Sequence, residues 1–187
     1  PICTSPSIGK LYVAKDYTVS GELFEVWRCN TCSGGFTQDV PDASTIGPYY
    51  AAESYVSHTD SRKGLINSVY HKVRSYALLT KKNLVTTLVG KQTGAILDIG
   101  AGTGAFVNTM QSGGWQVTGL EPDATAAKQA LLKYNIHLQP SDTIYTLGSH
   151  QFDAITMWHV LEHVHDLHGY FKRFSEMLQT NGVLVIA

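Results

Sequence analysis

Three glycines at alternate positions, Gly100, Gly102 and Gly104, follow an apolar run that ends in an acidic residue, Ala95-Ile96-Leu97-Asp98-Ile99. Ala105 to Met110 can then continue as a helix. The order reads as strand, tight turn, helix, an arrangement that brings backbone N–H groups to a ligand. Glycine suits such a turn because the chain bends sharply and a ligand must come close to its backbone. Whatever chemistry the chain performs is expected around this turn.

The segments after Thr93 keep alternating. Strand 95–99 leads to a helix from 103 to about 112, stopped by Gly113-Gly114. Strand 115–121 leads to a helix over about 123–134, with Pro122 at its start. A short strand near 136–139 follows, then strand 152–158. A helix over about 166–179 carries Leu167, Tyr170, Phe171, Phe174, Met177 and Leu178 on one side, and Asn181-Gly182 turns into a last strand. Strands alternating with helices predict an α/β fold with a doubly wound, mostly parallel, Rossmann-like sheet.

The 187 residues have room for one good core and a small appendage. Apolar content of 43% and charged content of 16% fit a globular chain. A net charge of −1 offers no global attraction to nucleic acid or to acidic membranes. No apolar run approaches the roughly 20 residues that span a bilayer. A start at Pro1 and a terminal apolar strand, Val183 to Ala187, read as a fragment whose Rossmann-like domain continues beyond its last residue.

Residues 1–47 read as a small β-rich module, with strands between Gly9 and Ser20 and between Glu22 and Arg28 joined by a turn at Asp16–Gly21. Gly34-Gly35 and Pro41-Asp42 punctuate its exit. Residues 48–92 read as a connector or cap. It begins tyrosine-rich, with Tyr49, Tyr50 and Tyr55, and turns helical from Arg62 to Val89. Leu65, Val69, Val73, Tyr76, Leu84 and Leu88 recur there at spacings built from three and four. Residues 61–91 hold seven of the fourteen lysines and arginines and no acidic residue. That is either a solvated helix face or a basic surface near a phosphate-bearing substrate.

Three cysteines are too few for a disulfide framework, and a reducing cytoplasm is the default. Cys29-x-x-Cys32, ahead of Ser33-Gly34-Gly35, has the look of a zinc knuckle, with two thiolates on a tight turn. Cys3 supplies a third ligand. A cysteine immediately before Pro1 would complete a four-thiolate ribbon, with His58 as the fallback ligand. Unmetallated, buried thiols are the alternative.

Gly100-x-Gly102-x-x-Ala105, with acidic Glu121 about 20 residues on, satisfies the dinucleotide pattern as well. Either NAD or S-adenosylmethionine brings an adenosine ribose for such a carboxylate. Asp98 separates them, because a carboxylate beside the turn repels a pyrophosphate and tolerates a cofactor bearing an ammonium and a sulfonium. Four stretches then fall in one order. They are Leu97-Asp98-Ile99-Gly100-x-Gly102-Thr103-Gly104, Gly119-Leu120-Glu121-Pro122, Phe152 to Ile155 leading to His159-Val160-Leu161-Glu162-His163-Val164, and Asn181 to Ile186. Together, over about residues 93–187, they resemble the class I S-adenosylmethionine-dependent methyltransferases.

The resemblance implies a role for each matching position. Asp98 and the Gly100-Ala101-Gly102 backbone would lie at the methionine part of the cofactor. Glu121 would bind both ribose hydroxyls, and Pro122 would pack near the adenine. Asp142 would meet the adenine amino group, and Met157 to His159 would flank the transferable methyl. His159 either takes a proton from the acceptor or shapes the pocket. His163, His165 and His168 are read as bracing a structural turn rather than as metal ligands. Residues 1–60 resemble the cysteine-bearing domain found before some sugar C-methyltransferases. The implied function is methyl transfer from S-adenosyl-L-methionine to a small molecule such as a nucleotide sugar, with structural Zn2+ at Cys3, Cys29 and Cys32. The competing readings are an NAD-linked oxidoreductase and a non-catalytic binding module.

Overall fold

The computed structural model of the chain describes residues 3–42, 45–50 and 65–187, with the backbone alone described at 50 and 65–71. Tyr55, His58, Arg62 and Lys63 lie outside the described residues. The chain divides into two units, Pro1–Ser57 and His58–Ala187.

In the first unit, β1 (Ile8–Lys15), β2 (Leu23–Cys29) and β3 (Gly35–Thr37) form an antiparallel sheet in that order. β1 and β2 pair from Ile8↔Cys29 to Lys15↔Leu23, as the predicted turn at Asp16–Gly21 requires. The Asp16 carboxylate closes that turn by accepting the N–H groups of Thr18, Val19 and Ser20 at 2.8, 3.1 and 2.8 Å. Those donors, that of Ser20 foremost, hold its pKa down at about 2. β3 was not foreseen. Gly35 opens that strand opposite Arg28 instead of ending the module, because the knuckle at Cys29–Ser33 reverses the chain back onto β2.

The second unit begins with α1 (Leu65–Val89) and continues as β4 (Ala95–Ile99), α2 (Ala105–Ser112), β5 (Gln116–Leu120), α3 (Ala124–Tyr134), β6 (Phe152–Met157), α4 (Leu167–Met177) and β7 (Leu178–Ile186). The sheet order is β5-β4-β6-β7 and every pair is parallel. Period-two alternation divides its side chains between two cores. Leu97, Ile99, Ile155 and Met157 face Phe174 and Met177 of α4. Ile96 and Ala154 face Val85 of α1 and Phe106 and Met110 of α2. Both faces are covered, so all six residues of β6 are buried. The chain leaves β4 for β5 on one side and returns to β6 on the other. That reversal opens a crevice at the carboxyl ends of β4 and β6.

Three details differ from the sequence reading. The helix over 65–89 forms, but its apolar repeat is not the buried seam. Val73, Tyr76, Leu84 and Leu88 are exposed, while Val85 is fully buried and Leu78 and Val89 pack beside it. The predicted strand at 136–139 shrinks to one bridge, Leu120↔Gln139, since Pro140 has no N–H to extend a ladder. The last helix stops at Met177, and Leu178 already pairs with Phe152. The predicted Asn181-Gly182 turn survives as an excursion inside β7, with Asn181 left-handed at φ 67°. The register therefore jumps from Phe152↔Leu178 to Ala154↔Val183.

Candidate functional site

At the crevice the glycine turn folds as its sequence requires. Gly100, Gly102 and Gly104 have φ of 71°, 55° and 75°, in the left-handed region. A Cβ on Gly100 would overlap Cγ2 of Val160, and one on Gly104 would stand 2.8 Å from Ala130 Cβ. The first glycine thus lets the segment after β6 lie on the turn, and the third lets α3 approach it.

Four of the turn's N–H groups are taken within the chain, where the sequence expectation had them facing a ligand. Gly100 and Ala101 both donate to Leu120 O at 2.9 Å, and Gly104 donates to Ala101 O at 3.0 Å. Gly102 donates to Glu121 Oε2 at 2.6 Å. Hydrogen bonds to the end of β5 therefore hold the loop shut. At its three glycines it presents backbone that carries no side chain.

Glu121 is fixed by that loop. Its other oxygen, Oε1, accepts from Asp123 N at 2.9 Å. Each carboxylate oxygen keeps a further lone pair, enough for a pair of vicinal hydroxyls. Pro122 is exposed beside it. Gln139 binds both sides of the β5 end, Glu121 N to Gln139 O at 2.8 Å and Gln139 N to Gly119 O at 2.9 Å. This places the 3-10 turn Ser141–Tyr145, with exposed Asp142 in its first turn, next in line from Glu121.

Asp98 is 2% exposed and accepts a hydrogen bond from Thr156 Oγ1 at 2.6 Å. The two residues are direct partners across β4 and β6. Burial lifts the Asp98 pKa from 3.8 to about 7, although the Thr156 hydroxyl and the charge of Lys81 pull it down. A carboxyl that holds its proton better folded than unfolded stabilises the ligand-free fold at acid pH, and that stability is lost as pH rises from about 4 through 7. The ligand-free Asp98→Asn variant is therefore expected to melt about 5 °C above the parent at pH 8. The gap narrows steadily toward pH 4 if titration of Asp98 is its source, and thermal melts across that range check it.

β6 ends at Met157, whose side chain is fully buried in the core facing α4. It meets the crevice through its backbone, with Met157 O accepting from Ala187 N at 3.0 Å. His159 is exposed and left-handed at φ 58°, its N–H donating to Ala187 O at 2.5 Å. Strain at a non-glycine residue marks an orientation that its surroundings impose. Leu161–His163 forms a 3-10 turn, but Asp166 is the residue that caps α4, accepting from Gly169 N at 3.0 Å.

Sequence reasoning missed Lys81 here, and it placed Trp158 beside the methyl without seeing what that ring packs against. Trp158 stacks edge-on against Phe106 with ring centroids 5.5 Å apart. Lys81, from α1, holds its ammonium 4.3 Å from the centroid of the Trp158 ring. Both stand on the Asp98 side of the sheet. The Lys81 signal was its place in the basic stretch, which did not reveal the direction of its side chain.

In the first unit, the Sγ atoms of Cys3, Cys29 and Cys32 lie within 4.8 Å of one another, and those of Cys3 and Cys29 are 3.4 Å apart. Cys29 is buried, and Thr31 N points at its sulfur at 3.4 Å. Backbone N–H groups, that of Cys32 foremost, bring the Cys29 thiol down to about 6. Soft, clustered thiols, with a backbone N–H aimed at the Cys29 sulfur, suit a tetrahedral zinc ion.

A family profile described as a methyltransferase domain matches residues 70–187. A ubiquinone biosynthesis O-methyltransferase of Rhodopseudomonas palustris strain HaA2 is 30% identical over 97 residues, which is 49% of this chain and 38% of that protein. The chain thus spans well under half the length of that relative. Among solved structures, a Methanococcus maripaludis protein assigned as an S-adenosyl-L-methionine-dependent methyltransferase aligns with a TM-score of 0.51 at 16% identity, over 70% of this chain and 67% of its own. A Haemonchus contortus phosphoethanolamine N-methyltransferase, solved with S-adenosylhomocysteine, aligns with a TM-score of 0.50 at 22% identity, over 57% of this chain and 27% of its own.

Proposed function

The chain belongs to the methyltransferase-domain family, and from that premise we propose that it transfers a methyl group from S-adenosyl-L-methionine to a small-molecule acceptor. The observation that carries this reading is the pairing of a glycine turn in which the N–H groups of Gly100, Ala101, Gly102 and Gly104 are spent internally with a carboxylate, Asp98, buried beneath it. A dinucleotide needs such N–H groups for its pyrophosphate and is repelled by the carboxylate. A cofactor bearing an ammonium and a sulfonium needs only the close backbone and welcomes the charge. The Gly100-Ala101-Gly102 backbone and Asp98 would hold its amino-acid end. Glu121 would hold its ribose, with Pro122 and Asp142 at its base.

When bound, the cofactor supplies a methyl group on a good leaving group, so transfer is a direct in-line displacement. The chain's share is alignment and exclusion of water. His159, at the carboxyl end of β6, would orient the acceptor or take its proton. The cysteine module supports a nucleotide sugar as the acceptor, and the name of the Rhodopseudomonas relative supports an oxygen nucleophile. The reading is tested by incubating the protein with methyl-labelled cofactor and a fractionated metabolite pool. Label entering one low-molecular-mass fraction supports it. No transfer to any metabolite, despite cofactor binding, leaves a binding module instead.

Cys3, Cys29 and Cys32 would hold structural zinc in the reducing cytoplasm. Metal analysis is expected to find one zinc per chain, lost in Cys29→Ser. A chelator should then unfold the first unit before the second, because structural zinc supplies on the order of 10 kcal/mol to small modules of this kind. Coincident unfolding with and without chelator would count against it.

A further inference from the structure

The outer side of α1 is apolar. Val73, Tyr76, Leu84 and Leu88 are exposed, Val73 by 62% and Tyr76 by 74%. Ala77 and Thr80 lie exposed between them. Steps of three and four residues, from Val73 through Ala77, Thr80 and Leu84 to Leu88, keep these positions on one side of the helix. A helix on the surface normally shows water a polar side there. A continuous apolar seam opposite the buried one marks a helix that packs on both sides. Covering Thr80 strands no donor, because its hydroxyl already donates to Tyr76 O at 2.9 Å.

The charges around the seam say what fits on it. Residues 61–91 hold seven cations and no acid, which on a bare helix would repel a second copy of itself. The structure removes most of that conflict by turning the cations onto the chain's own body. Arg74 reaches Thr103 Oγ1 at 3.4 Å, and Lys81 lies over the Trp158 ring. The Lys82 ammonium stands beside Gly113, at the C-terminal end of α2, where a cation is favoured. Lys91, past the end of the helix, pairs with Asp153 at 2.6 Å. Of the described cations of α1, this leaves exposed Lys72 at the flank of the seam. The occupant therefore needs no acidic rim.

The seam also complements itself. Small Ala77 and Thr80 stand at its middle, with Val73 and Tyr76 before them and Leu84 and Leu88 after. Laid antiparallel on its own copy and crossing beside Thr80, it sets Val73 of one chain against Leu88 of the other, and Ala77 against Leu84. Small residues at the crossing let the two backbones come close. The same arrangement brings Lys72 to the last turn of the opposite α1, whose free carbonyls and dipole favour a cation. We propose that the outer side of α1 is an isologous interface on which a second copy of this chain docks, antiparallel, about a two-fold axis beside Thr80. It uses the side of α1 away from Val85 and the sheet, so it does not depend on what the crevice binds.

The test is sedimentation of the full chain over a range of concentrations, alongside Ala77→Glu and Leu84→Glu. The parent is expected to run at twice the mass of one chain when concentrated and to dissociate on dilution. Each glutamate should weaken association at least about 30-fold, because pairing would bury its charge against apolar groups. Both positions are exposed in the single chain, so the dilute variants should melt with the parent. In Thr80→Cys, mild oxidation should join the two introduced thiols across the axis, which peptide mapping would locate. A parent that stays single at every concentration overturns the interface, as does association that survives both glutamates. A single parent in which the thiol of Thr80→Cys resists alkylation assigns the seam to another part of the same chain, and that too overturns the second copy as its occupant.

Discussion

Glu121→Ala is expected to weaken S-adenosylhomocysteine binding by about 100-fold or more. Two hydroxyl-to-carboxylate hydrogen bonds, each worth about 1.5–3 kcal/mol, are lost together. The effect has a second source, because the same carboxylate accepts from Gly102 N at 2.6 Å and Asp123 N at 2.9 Å. Removing it frees two backbone donors and loosens the turn against which the cofactor would rest. Glu121→Gln separates the two contributions. Its amide oxygen can still brace one N–H, so the turn stays near its place, while the charge and one acceptor are gone. Glu121→Gln is therefore expected to melt close to the parent and still bind at least 10-fold more weakly. Unchanged affinity in both variants would contradict the ribose assignment.

Gly100→Ala is expected to cost about 3 kcal/mol of stability and to abolish measurable cofactor binding. A left-handed φ of 71° penalises any Cβ by roughly 1–2 kcal/mol. The new Cβ also overlaps Val160 Cγ2, and relieving such crowding costs about 1–3 kcal/mol. For a domain with about 5–15 kcal/mol in all, that is a large share, equal to a fall of about 6–12 °C in Tm. The two causes are separable. Adding Val160→Ala makes room for the Cβ but leaves the backbone strain, so the double variant should regain about half of the lost stability. Full recovery would mean that φ at residue 100 carries no strain, and no recovery that Val160 is not the obstacle.

How far the sequence disclosed this architecture depended on how local the cause was. The glycine turn, the strands around it and the helix at 65–89 follow from short-range patterns, and the structure has them. The position of Glu121 was legible too, since a strand end after a glycine turn fixes it. The N–H groups of the turn were misjudged because their acceptors, Leu120 O and the Glu121 carboxylate, come from the next strand. The exposed repeat of α1 misled for a related reason. Val73, Tyr76, Leu84 and Leu88 have helical spacing, but which side of a helix is buried is decided by the sheet it meets. Lys81 escaped notice because its meaning lies in Trp158 and Asp98, which are distant in sequence. β3 was missed because three residues carry too little alternation to be seen.

The cysteine cluster lies between these cases. Cys29-x-x-Cys32 is a local signal, whereas the arrival of Cys3 Sγ 3.4 Å from Cys29 Sγ depends on the pairing of β1 with β2. The exposed apolar stripe on α1 has no partner among the described residues.

The central claim is that the crevice at the ends of β4 and β6 takes S-adenosylmethionine rather than a dinucleotide. Calorimetric titration of the unmodified chain at pH 7.5 with S-adenosylhomocysteine, and separately with NAD, tests it most directly. One site per chain with a micromolar or tighter Kd for S-adenosylhomocysteine, and no heat from NAD, is the expected result. Binding of NAD with no response to S-adenosylhomocysteine would contradict it.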